Sequence, residues 1–406
     1  MYCTRKITDH IHWVGGSDRR LALFENLFPI PRGVSYNSYM ILDEKTALVD
    51  TVDSSITRQF LENVEHVLNG RSLDYMIINH MEPDHCANIE ELVYRYPQVK
   101  IVASAKAIQM IRQFYAFDLG DRPMAVKEGD SLCLGSHTLH FVMAPMVHWP
   151  EVMMTYESSE KVLFSADAFG TFGALDGNLF NDEVNFEAEW LEDSRRYYSN
   201  IVGKYGPQVQ AVLKKAAGLE IQTICPLHGP VWRSNIAWFL DKYDKWSRYE
   251  PEEQALAIFY ASIYGNTENA ASVLASMLSQ AGIKNIKMYD VSSTHVSYLV
   301  SEAWRCSHLV FAAPTYNMNL YPPMEAAIHD LKALNLQNRT AAVIDNGTWA
   351  NAAGKQMRAM LGELKNVTVL EQPLSLSSAL KEDQMEQMKE MAKAIADSYS
   401  RSVREK

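Results

Sequence analysis

What this chain has little of narrows the reading first. Its 406 residues hold only five cysteines, Cys3, Cys86, Cys133, Cys225 and Cys306. The number is odd, the spacing is wide and there is no Cys-x-x-Cys pair, which excludes a disulfide framework, a zinc ribbon and a four-cysteine iron or iron–sulfur site built from this chain alone. A reducing, cytoplasmic compartment is therefore expected. Positive charge is also short: Lys and Arg total 38 against 49 Asp and Glu, a formal net charge of −11. Such a chain is a poor partner for nucleic acid or an anionic membrane surface. No uninterrupted run of about 18 apolar residues occurs, so no membrane-spanning helix is expected. Residues 1–10 lack the apolar core of a signal peptide. With thiolates set aside, any metal has to be held by nitrogen and oxygen, and the 12 histidines become the residues of interest.

What is present is ordinary for globular domains: 47% hydrophobic and 21% charged residues, in a length that predicts two or three domains. Before residue 250, short β patterns alternate with occasional helices. Residues 35–51 read as a hairpin turning at Asp43-Glu44-Lys45, and residues 74–79 as a strand ending in the polar cluster 80–85. A helix is expected near 88–96, and two strands around a turn in each of 131–144 and 152–166. Residues 191–218 carry helical spacing broken at Gly206-Pro207, and the strand 221–226 runs into His228. The charged run 242–253, with Pro251 inside it, puts the domain boundary near 250, giving domains 1–250 and 251–406. Strand and helix then alternate strictly. Strands are expected at 255–261, 285–290, 308–313, 340–344 and 367–370, and helices at 267–281, 297–305, 324–333, 355–364 and 382–400. That is a doubly wound α/β domain with a parallel sheet.

Its first strand runs into Ser262-Ile263-Tyr264-Gly265-Asn266-Thr267 and a helix starts at once. Hydroxyls, a glycine and free backbone N–H groups at a helix N-terminus make an anion cradle. Neither G-x-x-x-x-G-K-[ST] nor G-x-G-x-x-G is present, which excludes a nucleoside-triphosphate loop and a dinucleotide fingerprint. A single phosphate held by neutral donors, Ser262, Tyr264, Asn266 and Thr267, remains. Two later strand ends, Pro314-Thr315-Tyr316-Asn317 and Asn346-Gly347-Thr348-Trp349-Ala350, fall on the same carboxyl edge of the sheet, with Tyr316 and Trp349 available to flank a flat ring. A helix cap would explain the first loop alone, but not three loops together. This domain resembles a flavodoxin, residues 262–267 matching the T/S-x-x-G-x-T phosphate loop of that family, and the resemblance implies FMN.

In the first domain, His80-Met81-Glu82-Pro83-Asp84-His85 packs four possible ligands into six residues at a strand end. Pro83 is expected to keep the segment from being a helix, so that its side chains splay from a loop. His148, Asp167 and His228 follow at later strand ends or loops. One histidine or aspartate in such a place is ordinarily a surface or capping residue. Together the seven amount to four imidazoles and three carboxylates, enough for two metals if one carboxylate bridges. The order H-x-E-x-D-H, H, D, H resembles the metallo-β-lactamase superfamily, whose αββα sandwich carries H-x-H-x-D-H. Glu82 stands where those hydrolases have a histidine, and a carboxylate makes the site harder, favouring iron over zinc.

A metallo-β-lactamase-like domain with H-x-E-x-D-H followed by a flavodoxin-like domain resembles the flavodiiron (A-type flavoprotein) family over essentially the whole chain, in its two-domain form without an appended rubredoxin. Ser35-Tyr-Asn-Ser-Tyr39 and His148-Trp149-Pro150 belong to the same likeness. The resemblance implies a diiron centre. One iron would take His80, Glu82 and His148, the other Asp84, His85 and His228, and Asp167 would bridge. Members differ on whether the histidine at position 85 reaches its iron or leaves the place to water, and both readings stay open. The implied activity is reduction of O2 to water, of NO to N2O, or both, with FMN relaying electrons from rubredoxin or another small donor. Four electrons, two held by the reduced flavin and two by the iron pair, match the need of O2. A head-to-tail homodimer, or a dimer of dimers, is implied as well. Trp149, Tyr197 and Tyr198 are candidates for lining the pocket, or else plain helix-face aromatics. Two other readings compete: a zinc-dependent hydrolase with an appended flavodoxin domain, and an electron carrier whose first domain is inert.

Overall fold

The computed structural model describes residues 1–371 and 373–404. Contacts divide the chain into two units, Met1–Tyr198 with Tyr205–Asp244, and Ser199–Lys204 with Lys245–Lys406.

The first unit is built on two large sheets, with two small two-stranded ones beside them. One runs in the spatial order Arg5–Lys6, Ile11–Trp13, Tyr39–Leu42, Thr46–Val49, Tyr75–Ile78, Lys100–Ser104, Pro123–Val126. It is antiparallel up to the hairpin Tyr39–Leu42/Thr46–Val49 and parallel beyond it. The other orders Ser131–Cys133, Thr138–Met143, Met153–Glu157, Val162–Phe164 and Thr223–Cys225, with only the last pair parallel. Apolar residues of the two sheets meet in a common core, Tyr39 packing on Phe164 with ring centroids 5.3 Å apart. Helix Thr57–Leu68 buries Phe60, Leu61, Val64, Val67 and Leu68, the three-to-four spacing of an amphipathic face. This is the expected metallo-β-lactamase-like sandwich.

The second unit is a parallel sheet in the order Ile286–Asp290, Glu253–Tyr260, Cys306–Tyr316, Thr340–Asn346, Thr368–Val369. Helix Asn266–Gln280 lays Ala270, Ala271, Leu274 and Leu278 on Leu256, Ile258, Val310 and Ile344. The order, with the first strand flanked by the second and third, is that of a flavodoxin-like fold and puts three loop mouths on one edge.

Three expectations need correction. Pro83 does not prevent a helix: Pro83–Cys86 is a single helical turn with proline at its first position, where the missing N–H has no partner to lose and the fixed φ suits the helix. Gly206-Pro207 does not break the helical stretch either, but opens helix Gly206–Ala216 by the same logic. The interruption lies before it, in the wide and tight turns of Tyr198–Val202 and Gly203–Tyr205. The last strand is split, its second part Leu374–Leu376 pairing with Thr340–Asn346 through Ile344, Asp345 and Asn346. Three residues are too few to show a period.

Candidate metal centre and mononucleotide cleft

All seven expected ligands follow strand ends of the sandwich, Asp84 and His85 in the helical turn Pro83–Cys86 and the others on loops, and they fall into two groups. His80, Glu82, His148 and Asp167 offer ligand atoms within 4.8 Å of one another, and so do Asp84, His85 and His228. Asp167 belongs to both. Its Oδ2 lies 3.2 Å from His80 Nε2 and 3.0 Å from His148 Nε2, while its Oδ1 lies 3.1 Å from His85 Nε2 and 3.6 Å from His228 Nε2. Glu82 Oε2 completes the first group, 3.2 Å from His80 Nε2 and 3.1 Å from His148 Nε2. Asp84 Oδ2 stands 3.3 Å from both His85 Nε2 and His228 Nε2 in the second. The change from extended backbone at Glu82 to helix at Pro83 is what separates Glu82 from Asp84 and His85, sending neighbours in sequence to different groups.

The residues around these seven set their orientation. Nδ1–H of His80 donates to Glu151 Oε1 at 2.8 Å, and Nδ1–H of His228 donates to the Ser35 carbonyl at 2.7 Å. Each bond leaves the Nε2 lone pair aimed into the site, the usual arrangement of a metal-binding histidine. His85 differs: its Nδ1 is buried with no hydrogen-bond partner, so no protein acceptor pins its tautomer. Asp50, at φ +52 just after Thr46–Val49, accepts from the backbone N–H groups of Asn79 and His80 at 2.7 and 3.2 Å and holds the entry to the cluster. Thr51 ties the helical turn by donating from its N–H and Oγ1 to the His85 carbonyl. Trp149 meets His80 edge to face at 5.3 Å, and Tyr197 packs on His228 at 5.5 Å. Tyr198 lies one layer back, against Tyr243.

The donor set fits metal ions. Both carboxylate oxygens of Asp84 and Oδ1 of Asp167 are buried and accept no hydrogen bond. His85 and His228 bring their Nε2 atoms to within 3.1 Å of each other. Separations of 3.0–3.6 Å are the edge lengths expected around ions with ligand bonds of roughly 2.0–2.2 Å. Burial alone would strip His80 and His148 of a proton, yet the charge and hydrogen bonds of Asp167 and Glu82 outweigh it, holding His80 well above its usual value and His148 at about 9. The carboxylates thus make a strongly cation-attracting pocket. Four imidazoles and three carboxylates suit iron better than a thiophilic ion. An opening lined by Leu23, Phe24, Glu25 and Tyr36 reaches Glu82 and Asp84.

In the second unit, the three expected loops line one cleft. It contacts Ser262, Ile263, Tyr264, Asn266, Thr267, Pro314, Thr315, Tyr316, Asn317, Asn346, Gly347, Thr348, Trp349 and Ala350. Gly265 stands behind it, at φ +89 and donating its N–H to Ser262 Oγ at 3.0 Å, which shapes the loop before helix Asn266–Gln280. Tyr264, Tyr316 and Trp349 keep 92%, 45% and 74% of their surface exposed, more than packing side chains keep. Neutral hydroxyl and amide donors with exposed aromatic faces fit a monophosphate bearing a flat ring. Ser378 also lines the cleft and lay outside the expected set. The Asn346 side chain holds it, donating to the Ser378 carbonyl and accepting from its N–H. Glu151, Asp50 and the Ser35 carbonyl were likewise not foreseen. Glu151 directly follows His148-Trp149-Pro150, which is the one signal that could have singled it out.

Among the described residues, no helix is long and apolar enough to cross a membrane. Residues 34–229 match the model of the ODP family beta lactamases and residues 258–400 that of flavodoxins. The anaerobic nitric oxide reductase flavorubredoxin of Shigella dysenteriae is 31% identical over 401 residues, covering 97% of this chain and 82% of that protein. Its Escherichia coli counterpart matches to the same extent. The rubredoxin oxygen:oxidoreductase of Desulfovibrio gigas superposes with a TM-score of 0.91 at 29% identity, covering 99% of this chain and all of that one. The flavodiiron protein of Giardia intestinalis gives the same TM-score at 24% identity, covering 98% of each chain, a likeness of fold. By the extent and identity of these matches, the chain belongs to the family of flavodiiron proteins and flavorubredoxins.

Proposed function

We propose that this protein reduces O2 to water, NO to N2O, or both, as an FMN- and diiron-dependent oxidoreductase fed by rubredoxin or another small electron donor. The observation that carries it is Asp167, whose two carboxylate oxygens face two separate sets of nitrogen and oxygen ligands in a chain that also carries a flavodoxin cleft. When bound, the irons and FMN supply the redox chemistry. His80, Glu82, His148 and Asp167 Oδ2 would hold one iron. Asp84, His85, His228 and Asp167 Oδ1 would hold the other, with His85 the ligand least tied from behind.

The protein's own contribution is positioning and charge. Glu151 and the Ser35 carbonyl fix the protons of His80 and His228 on Nδ1. Three carboxylates, Glu82, Asp84 and Asp167, would offset the cationic charge of the metals. The Tyr197 hydroxyl is buried with no hydrogen-bond partner, and its ring lies on His228. It can donate to an oxygen atom of a small ligand at the centre. Ser262, Asn266, Thr267 and the N-terminus of helix Asn266–Gln280 would hold the phosphate, and Tyr316 and Trp349 would flank the ring.

Head-to-tail pairing of two copies, or a dimer of such dimers, in the cytoplasm goes with this reading. Its support is the exposed aromatic surface around the cleft. The zinc hydrolase alternative is not favoured, because relatives matched along nearly the whole chain are oxidoreductases. Anaerobic stopped flow of the fully reduced protein against O2 and against NO tests the proposal. Rapid reoxidation by at least one gas is expected; turnover with neither would defeat it.

A further inference from the structure

Apart from both sites, a second set of ligand-type side chains converges in the first unit. His10 comes from the turn between Arg5–Lys6 and Ile11–Trp13, His137 from the turn between Ser131–Cys133 and Thr138–Met143, and Glu160 from the turn between Met153–Glu157 and Val162–Phe164. One ligand atom from each lies within 4.8 Å of the others. Glu160 stands between the histidines, Oε1 at 3.1 Å from His10 Nδ1 and Oε2 at 3.8 Å from His137 Nε2. The two imidazole centroids are 4.7 Å apart and tilted by 57° rather than stacked.

The surroundings are built for this geometry. Asp43, in the turn between Tyr39–Leu42 and Thr46–Val49, faces His137 Nδ1 at 2.8 Å and accepts its backbone N–H at 2.7 Å. Ser136 Oγ donates to the same carboxylate at 3.1 Å. The Asp43 carboxylate is thus placed to accept a proton carried on His137 Nδ1 and to orient the ring. His137 Nε2 then faces Glu160. His137 and Asp43 keep only 3% and 8% of their side chains exposed, whereas His10 keeps 51%. Thr8 Oγ1 donates to Glu160 Oε2 and leaves Oε1 facing His10.

A carboxylate behind a histidine, with a second histidine and a carboxylate in front, is the pattern of a metal-binding imidazole and its orienting partner. For ligand bonds of roughly 2.0–2.2 Å, tetrahedral coordination places ligand atoms about 3.3–3.6 Å apart. The observed 3.1 and 3.8 Å, to the two oxygens of the one Glu160 carboxylate, lie on either side of that, a difference of a few tenths of an ångström that half-exposed His10 and the partly exposed Glu160 side chain can take up. We propose that His10, His137 and Glu160 form a site for one divalent ion of the zinc class, with water as fourth ligand and Asp43 orienting His137. His10 belongs to the first sheet of the sandwich and His137 and Glu160 to the second, so the ion ties the two sheets together at their turns. None of these residues belongs to the diiron cluster, and the inference stands whatever gas the protein reduces.

The test uses the holoprotein with its FMN and two irons in place. It is titrated with Co2+ and then Zn2+, with iron content followed throughout, in wild type, His10→Ala and Glu160→Gln. His10 is half exposed, so its truncation leaves the core untouched. One further equivalent of Co2+ with tetrahedral visible absorption is expected, displaced by Zn2+, and Zn2+ should raise the melting temperature of wild type. Both variants should bind at least tenfold more weakly and lose the Zn2+ effect on melting while keeping iron and FMN. No equivalent beyond the irons in wild type, or equal binding by wild type and both variants, would reduce the cluster to ion pairs and overturn the proposal.

Discussion

His80 and Glu151 are both fully buried and share a hydrogen bond of 2.8 Å from Nδ1 to Oε1, and Glu151 Oε1 also accepts the Met81 N–H at 2.9 Å. The carboxylate therefore sets the tautomer of His80 and the backbone that carries it. Glu151→Gln retains the shape but removes the charge. Iron held by the first ligand group should be lost to a chelator about 10–100-fold more readily, with the circular dichroism of the protein unchanged. Unaltered iron retention would show Glu151 to be a packing residue only.

Tyr197→Phe removes a buried hydroxyl that has no hydrogen-bond partner. Stability should stay the same or rise, since a desolvated, unpaired polar group costs about 1–3 kcal/mol. Reaction of the reduced protein with O2 or NO should slow several-fold at unchanged iron content. Stopped flow together with a melting curve separates the two effects.

Two glycines of the flavin cleft should respond differently to alanine. At Gly265 an added Cβ meets nothing within 4 Å, and only φ +89 opposes it, a cost of about 1–2 kcal/mol. At Gly347 the same Cβ would lie 1.9 Å from the Ala350 carbonyl oxygen, so the whole loop Asn346–Ala350 has to move. FMN fluorescence titration of the apoflavoprotein should show a modest loss for Gly265→Ala and more than a tenfold loss for Gly347→Ala.

Burial pushes the His308 imidazole down to about 4, where it sits 3% exposed beside Ser307. Unfolded histidine takes up its proton near 6.5, the folded one only near 4, so the unfolded state binds more protons between these values. Stability of the second unit is therefore full above about pH 6.5 and falls on acidification, by about 2–3 kcal/mol at pH 4. Urea unfolding of that unit, followed by flavin fluorescence, should show this slope in wild type and lose it in His308→Gln.

The elements that carry chemistry were legible where neighbours in sequence carry it together. His80-Met-Glu82-Pro-Asp84-His85 and the three cleft loops each hold several polar residues directly after an apolar strand, and strand ends are where such folds place their sites. What contacts from afar was not legible. The Ser35 carbonyl that orients His228 has no side-chain signature, Asp50 reads as a hairpin end, and Ser378 follows a strand of three residues. Pro83 misled because one residue type both breaks a helix and begins one, and only the backbone around it says which.

By itself, the amino-acid order determined the donor types, four imidazoles and three carboxylates with no thiolate, and the change from mixed β patterns to strict strand–helix alternation. These follow from local composition and period. Only the tertiary structure decided how the donors divide. That Asp167 turns one oxygen to His80 and His148 and the other to His85 and His228 depends on loops well separated along the chain meeting at the sandwich edge, because a ligand set is a property of distances in space. The same holds for His10, His137 and Glu160, three unremarkable turn residues along the chain that hydrogen bonding and sheet packing bring within reach of a single ion.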